Sequence, residues 1–278
     1  MMQLPLLRLL GAGLAFVCVS AWTGTAPAAP ADAPSQVRQP VSDRLARLGG
    51  DKHSELVRRG FRIFTDTPTY AHRYSGNALS CQNCHLDAGT RPHAAPIWAA
   101  WGEYPAYLVK NDRVVTFEER IQECFRYSMN GLPPPLDSEE LRALVAYSQW
   151  LSKGVPVGGN LPGRGFLSIP RTGSDPNPLR GRDVYAVRCV ACHGKNGEGQ
   201  RVAATGRFAI PPLWGYRSYN KGSGLNGIDL MAGFLKANMP LGNPDLTEQQ
   251  ALDLAAWIHL QERWPDPRKG LLKGILER

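Results

Sequence analysis

Two short runs in this 278-residue chain carry the same chemistry. Cys81-Gln82-Asn83-Cys84-His85 recurs as Cys189-Val190-Ala191-Cys192-His193. Cys-x-x-Cys-His is the attachment pattern of c-type haem. Two thiols on one turn reach the two vinyl groups of a porphyrin, and the adjacent imidazole reaches the iron from below. A redox dithiol or half of a zinc site also uses Cys-x-x-Cys. Neither requires His directly after the second Cys, and neither predicts a second copy. The expected cofactors are therefore two covalently bound haems c, held by Cys81, Cys84 and His85 and by Cys189, Cys192 and His193.

Each iron has a second axial position. In the second half the candidates are Met231, Lys236 and Met239. Met239 precedes Pro240 in a loop ahead of the last helix, the usual source of such a ligand, and Met beside His raises the potential. Met231 reads as a core methionine, while Lys236 would ligate only when neutral. In the first half, Met129 lies eight residues before an expected helix cap at Asp137 (137 − 129 = 8), as Met239 lies eight before Thr247 (247 − 239 = 8). Repeat spacing therefore nominates Met129. The rival is Cys124. Six Cys stand at positions 18, 81, 84, 124, 189 and 192. With four in the haem motifs and Cys18 in a segment expected to be removed, Cys124 has no disulfide partner. A buried free Cys is often an inert small hydrophobe. Here Lys110, Arg113, Arg120 and Arg126 surround it in sequence, and cationic neighbours stabilise a thiolate, which is both a ligand and a nucleophile.

These residues need elements to position them. Leu45 to Phe64 reads as helix and contains Gly60-x-x-x-Phe64; Gly181-x-x-x-Tyr185 repeats that spacing before the second motif. A Gly followed one turn later by an aromatic lets a second helix cross closely. The crossing partners are Asp137 to Lys153, with Asp137 and Glu140 as capping box, and Thr247 to Trp264, with Thr247 and Gln250 as box. Each half reads as aromatic-bearing helix, haem motif, loop and capped helix, an internal repeat with a period of about 100 residues. The expected fold is all-α: two cytochrome c-type domains, 45–154 and 179–278, joined by a Pro/Gly-rich linker over 155–178 that cannot hold a regular helix.

Residues 1–28 read as a secretory signal: Arg8, an apolar run over Leu9 to Ser20, and a small-residue cleavage site at Ala26-Pro27-Ala28. The run is shorter than the roughly 20 residues a membrane span needs, so no stable membrane insertion is expected, and Val17 is a poor neighbour for an acylated Cys18. Residues 29–44 read as an Ala/Pro-containing flexible tail. Export to the periplasm agrees with c-type haem attachment. The net charge of +8 and pI near 9.3 suit an anionic substrate or an acidic protein partner. No Lys/Arg tract resembles a nucleic-acid patch.

The run from Arg120 to Gly131, with Leu79-Ser80 before the first motif, resembles the diheme thiosulfate dehydrogenases of the TsdA family. So do Pro211-Pro212-Leu213-Trp214-Gly215 and Ser218-Tyr219-Asn220. The resemblance covers nearly all of the chain after residue 28. It implies a first domain similar to the SoxA cytochromes, Cys124 as distal ligand of the catalytic first haem, and Met239 as ligand of the second. It also implies oxidation of two thiosulfates to tetrathionate, the reverse being accessible in some members. Some members carry Lys just before that Met, where this chain has Asn238, which puts a Lys/Met ligand switch here in doubt.

A site for two thiosulfate dianions needs cations. The expected group is Lys110, Arg113 and Arg120, with Ser128 as hydrogen-bond donor and Arg120, one turn before Cys124, foremost. Electrons would pass through both haems to an external acceptor such as a small cytochrome c or a high-potential iron-sulfur protein. The alternatives are a diheme electron carrier without a substrate and a SoxA-type thiosulfate-conjugating subunit. The carrier leaves the unpaired Cys124 unexplained.

Overall fold

The computed structural model describes residues 38–158, 161–171 and 173–269. The expected signal segment and most of the expected tail lie outside the described residues. The first half runs α1 (Val41–Ala46), α2 (Lys52–Thr65), α3 (Thr67–Tyr70), a 3-10 turn at Cys81–Asn83, α4 (Leu86–Gly89), the hairpin β1 (Ala106–Leu108) and β2 (Arg113–Val115), α5 (Phe117–Glu123), a π-helical turn at Cys124–Ser128, and α6 (Glu139–Leu151). The second half runs α7 (Pro178–Arg188), α8 (Val190–His193), the hairpin β3 (Gln200–Arg201) and β4 (Phe208–Ile210), α9 (Ile228–Asn238) and α10 (Glu248–His259). Helices dominate the described residues. The two small antiparallel hairpins are additions to the expected all-α plan.

The single helix expected over 45–64 is two. Gly49-Gly50 interrupts it, since adjacent glycines are poor helix formers, and Asp51 restarts it by accepting from the Ser54 amide at 3.0 Å. The helix α1 begins within the segment expected as tail, because Val41 and Leu45 are buried in the core.

The helix pairs cross where the glycines are. A Cβ on Gly60 would stand 2.0 Å from the Ala143 carbonyl oxygen of α6, and one on Gly181 would stand 2.0 Å from that of Asp253 in α10. In both places only hydrogen fits between the helices. Tyr147 then packs against Phe64, and Tyr185 against Trp257, with ring centroids 5.5 and 4.5 Å apart. These two crossings centre two apolar clusters, one per half.

Thr247 and Gln250 form the expected capping box on α10. On α6 the expected box of Asp137 and Glu140 gives way to Ser138, whose side chain accepts from the Leu141 amide. Glu140 turns instead to Arg59 at 3.0 Å. Counted to the caps that form, Met129 lies nine residues ahead (138 − 129 = 9) and Met239 eight (247 − 239 = 8). The equality that nominated Met129 does not hold.

The segment between the halves is ordered packing. Its Gly163 and Gly165 carbonyls accept from the His93 and Ala95 amides at 2.7 and 2.8 Å, and Phe166 meets Phe234 of α9 edge-on. The halves also interlock directly: Phe208 packs on the first cluster, while Cys84, Leu86 and Ala94 join the second. Among the described residues no helix is long and apolar enough to cross a membrane.

Candidate active site

Ser80 caps the turn that presents the first motif, with Asn83 returning the bond to the Ser80 amide at 2.7 Å. Cys81, Cys84 and His85 thereby line a cavity of about 350 Å³ walled by Phe64, Leu79, Ile97 and Leu144. The His85 Nδ1–H donates to the Ala95 carbonyl at 2.7 Å. That bond selects the tautomer with a free Nε2 lone pair and orients the ring, as a metal-bound imidazole requires. His193 repeats the device, donating from Nδ1 to the Pro211 carbonyl at 2.9 Å.

Cys124 arrives from the other side. Thr116 and Glu119 form a capping box that starts α5. The helix then widens into the π-helical turn, in which the Met129 amide reaches back to the Cys124 carbonyl at 3.0 Å. Such turns recur at functional sites. Phe125 and Tyr127 are buried, while Cys124 lines the same cavity as His85. Met129 also lines the cavity and is 3% exposed, packed in the first apolar cluster. Both rivals line the cavity; Cys124 is the one whose ionisation the Arg120 and Lys110 charges favour.

The three thiols of this cavity differ in character. Burial pushes Cys81 and Cys84 up to about 12. Burial also opposes ionisation of Cys124, but the Arg120 guanidinium, the nearby His85 and Lys110 outweigh it and hold this thiol down to about 7. Cys124 is thus the cavity's ready thiolate.

Arg120 lines the cavity, and the Cys124 thiolate beside it, with Tyr104 and Glu123, tightens its hold on its proton. Its Nη1 reaches Glu123 Oε2 at 3.1 Å; Lys110 Nζ reaches the same oxygen at 3.3 Å and lies 5.6 Å from the Tyr127 ring centroid. Burial and the neighbouring Arg120 lower the Lys110 ammonium's pKa. Ser128 lines the cavity, its Oγ 3.3 Å from Ser223 Oγ. Arg113 is not brought to this group. It points away on β2, half exposed, and pairs with Glu119 at 2.8 Å. The Glu119 carboxylate at the start of α5 holds it there. Sequence reasoning passed over Glu123, which is 5% exposed, anchors both Lys110 and Arg120, and also accepts from Asn111. Its place directly before Cys124 was the available signal. Tyr104, which lines the cavity, carried no sequence signal; Tyr219, which also lines it, lies in the Ser218-Tyr219-Asn220 run.

In the second half, Cys189, Val190, Trp214, Trp257 and Met239 pack on one apolar cluster. Burial lowers the basicity of His193, which keeps its ring lone pair available. Met231 is buried in that cluster, and Asn238 donates to the His93 carbonyl at 3.2 Å across the halves. Both sites fit a c-type haem: apolar walls, paired thiols and an imidazole oriented through Nδ1. Among the described residues no three His, Cys, Asp or Glu side chains gather to hold a bare metal ion.

Residues 69–157 match the family model described as SoxA/TsdA, cytochrome c domain, and residues 179–261 match cytochrome c. The chain is 44% identical over 232 residues to the thiosulfate dehydrogenase of Stutzerimonas stutzeri (strain A1501), a match covering 83% of this chain and 74% of that one. It is 48% identical over 219 residues to that of Thiomonas intermedia (strain K12), covering 78% and 69%. Among solved structures it resembles the as-isolated thiosulfate dehydrogenase (TsdBA) of Marichromatium purpuratum, with a TM-score of 0.78 at 43% identity over 84% of this chain. The match covers 52% of that longer chain.

Proposed function

Because this chain belongs to the thiosulfate dehydrogenase family, we propose that it oxidises two thiosulfates to tetrathionate at Cys124. The observation that carries this reading is a thiol in the same cavity as His85, flanked by Arg120 and held down to about 7. Cys81, Cys84, His85 and Cys124 would hold one haem, and Cys189, Cys192, His193 and Met239 would hold the other. When bound, the two haems supply one-electron acceptors that relay electrons to an external partner such as a small cytochrome c or a high-potential iron-sulfur protein.

Cys124 forms a bond from its sulfur to the sulfane sulfur of the first thiosulfate, giving Cys124–S–S–SO3⁻ as two electrons leave. The sulfane sulfur of the second thiosulfate then attacks the first one and displaces the Cys124 thiolate, as in thiol exchange. The sum is two thiosulfates to one tetrathionate and two electrons, with no proton consumed. Arg120 and Lys110 offset the charge of the incoming dianions, Arg120 with a planar donor pair suited to a sulfonate. Ser128 offers a further hydroxyl. Run backwards, the same steps reduce tetrathionate. Residues 1–28 serve as an export signal, which places this chemistry in the periplasm.

The test is whether the purified holoprotein alone reduces ferricyanide when given thiosulfate. A substrate-free carrier and a conjugating subunit lacking its carrier protein do not. Cys124→Ala should keep both haems, change the first haem's spectrum and abolish turnover, while Met129→Leu should leave that spectrum largely intact. Normal turnover by Cys124→Ala would end this reading.

A further inference from the structure

The π-helical turn that carries Cys124 leaves its carbonyls to be satisfied from elsewhere. Those of Cys124 and Phe125 accept from the Met129 and Gly131 amides, both at 3.0 Å. That of Ser128 accepts from Asn77 at 2.9 Å. The remaining two are closed by a single residue of the other domain. Asn220 donates from Nδ2 to the Arg126 carbonyl at 3.0 Å and from its backbone amide to the Tyr127 carbonyl at 2.9 Å.

Asn220 is itself held rigidly. It is 3% exposed, and its Oδ1 accepts from the Gly222 amide at 2.9 Å. The surrounding loop adds to the grip. Ser223 Oγ stands 3.3 Å from Ser128 Oγ, and the Ser218 carbonyl accepts from Asn130 at 2.6 Å. A Cβ on Gly222 would stand 2.8 Å from the Tyr127 ring, so the loop lies directly on the turn.

We propose that Asn220 is a positioning residue for Cys124: the second domain clamps the π-helical turn and thereby sets the place of the thiol opposite His85. This rests on the reading of Cys124 as ligand and nucleophile. The clamp gives a physical role to Asn220, whose two donors go to the turn's backbone. It also makes the first domain's site incomplete without the second. Arg120 and Lys110 stand ahead of the turn, on α5 and the β1–β2 connection, so their grip on substrate should survive loss of the clamp.

Asn220→Asp tests this. The aspartate keeps an acceptor for the Gly222 amide but sets a carboxylate oxygen against the Arg126 carbonyl. In the holoprotein we expect two haems per chain, a ferric spectrum in which the first haem has partly lost its thiolate ligand, kcat lowered about tenfold or more, and KM for thiosulfate changed less than about threefold. Arg207→Ala, which removes a different contact between the halves, the pair with Asp66, should match the unmodified protein in both respects. An unchanged spectrum and kcat in Asn220→Asp, or an equal loss in Arg207→Ala, overturns the clamp. Native-state hydrogen exchange needs no variant: the Met129 and Gly131 amides should open together with the Asn220 amide, and their continued protection after Asn220 opens refutes the proposal. Cys124→Ala run in parallel separates the two failures. If it is spectrally silent, the functional reading falls; if it alters the spectrum and Asn220→Asp does not, only the clamp falls.

Discussion

Replacing Arg120 by Gln should cost this protein two separable things. Burial works against the Cys124 thiolate, and the strongest influence on the other side is the Arg120 charge, ahead of His85 and Lys110. The balance brings the thiol from 9.0 to about 7. A thiol at about 7 is roughly half ionised at pH 7, whereas one at 9.0 is about 1% ionised. A group whose pKa is lowered is anionic above the lowered value, so the nucleophile is present above about 7 and lost as pH falls through it. In the Arg120→Gln protein that limb should move toward 9.0 or beyond, because burial then goes largely unopposed. Nucleophile loss alone should lower kcat/KM at pH 7 by about tenfold to fiftyfold. The second loss is a charge-assisted contact to the dianion, about 1.5–3 kcal/mol, and it is independent of pH. The assay is kcat/KM for thiosulfate between pH 6 and pH 10 with haem content measured on the same samples. The deficit should shrink as pH rises and settle at the substrate-contact term. A profile that keeps its limb near 7, merely scaled down, would refute the role of Arg120 in ionising Cys124. A KM and limb both unchanged would make Arg120 a structural partner of Glu123.

Met239→Gly should retain two haems by mass spectrometry and lose the sulfur-to-iron absorption band of the oxidised protein; persistence of that band would transfer it to Met129 and undo the assignment of both irons. Gly60→Ala should destabilise the first domain by about 1–3 kcal/mol or more in denaturant unfolding, because its Cβ would lie 2.0 Å from a backbone oxygen that cannot step aside; a change below about 0.5 kcal/mol would mean that the α2–α6 crossing is looser than described.

What could be read from the chain alone was whatever is set by residues close together in sequence. The two Cys-x-x-Cys-His motifs need only one turn to bring thiols and imidazole together, so their chemistry was visible as spacing. Gly60 and Gly181, each followed by an aromatic one turn later, announced close helix crossings because helical geometry is local, and the crossings form there. Thr247 and Gln250 form their capping box for the same reason. Where two local solutions competed, the sequence was ambiguous. Ser138 displaced Asp137 as cap once Glu140 was drawn to Arg59 on a different helix, and with that shift the spacing argument for Met129 dissolved. The surroundings of Cys124 belong to the tertiary structure. Sequence proximity placed Arg113 and Lys110 alike beside Cys124, yet Arg113 pairs with Glu119 at the surface while Lys110 folds back onto buried Glu123. Whether a charge near Cys124 lowers its pKa depends on distance and burial, which packing sets. The lowered thiol arises from side chains that the packing of the first half brings together, and the grip of Asn220 on a turn 94 residues away in sequence arises only when the two halves close on each other.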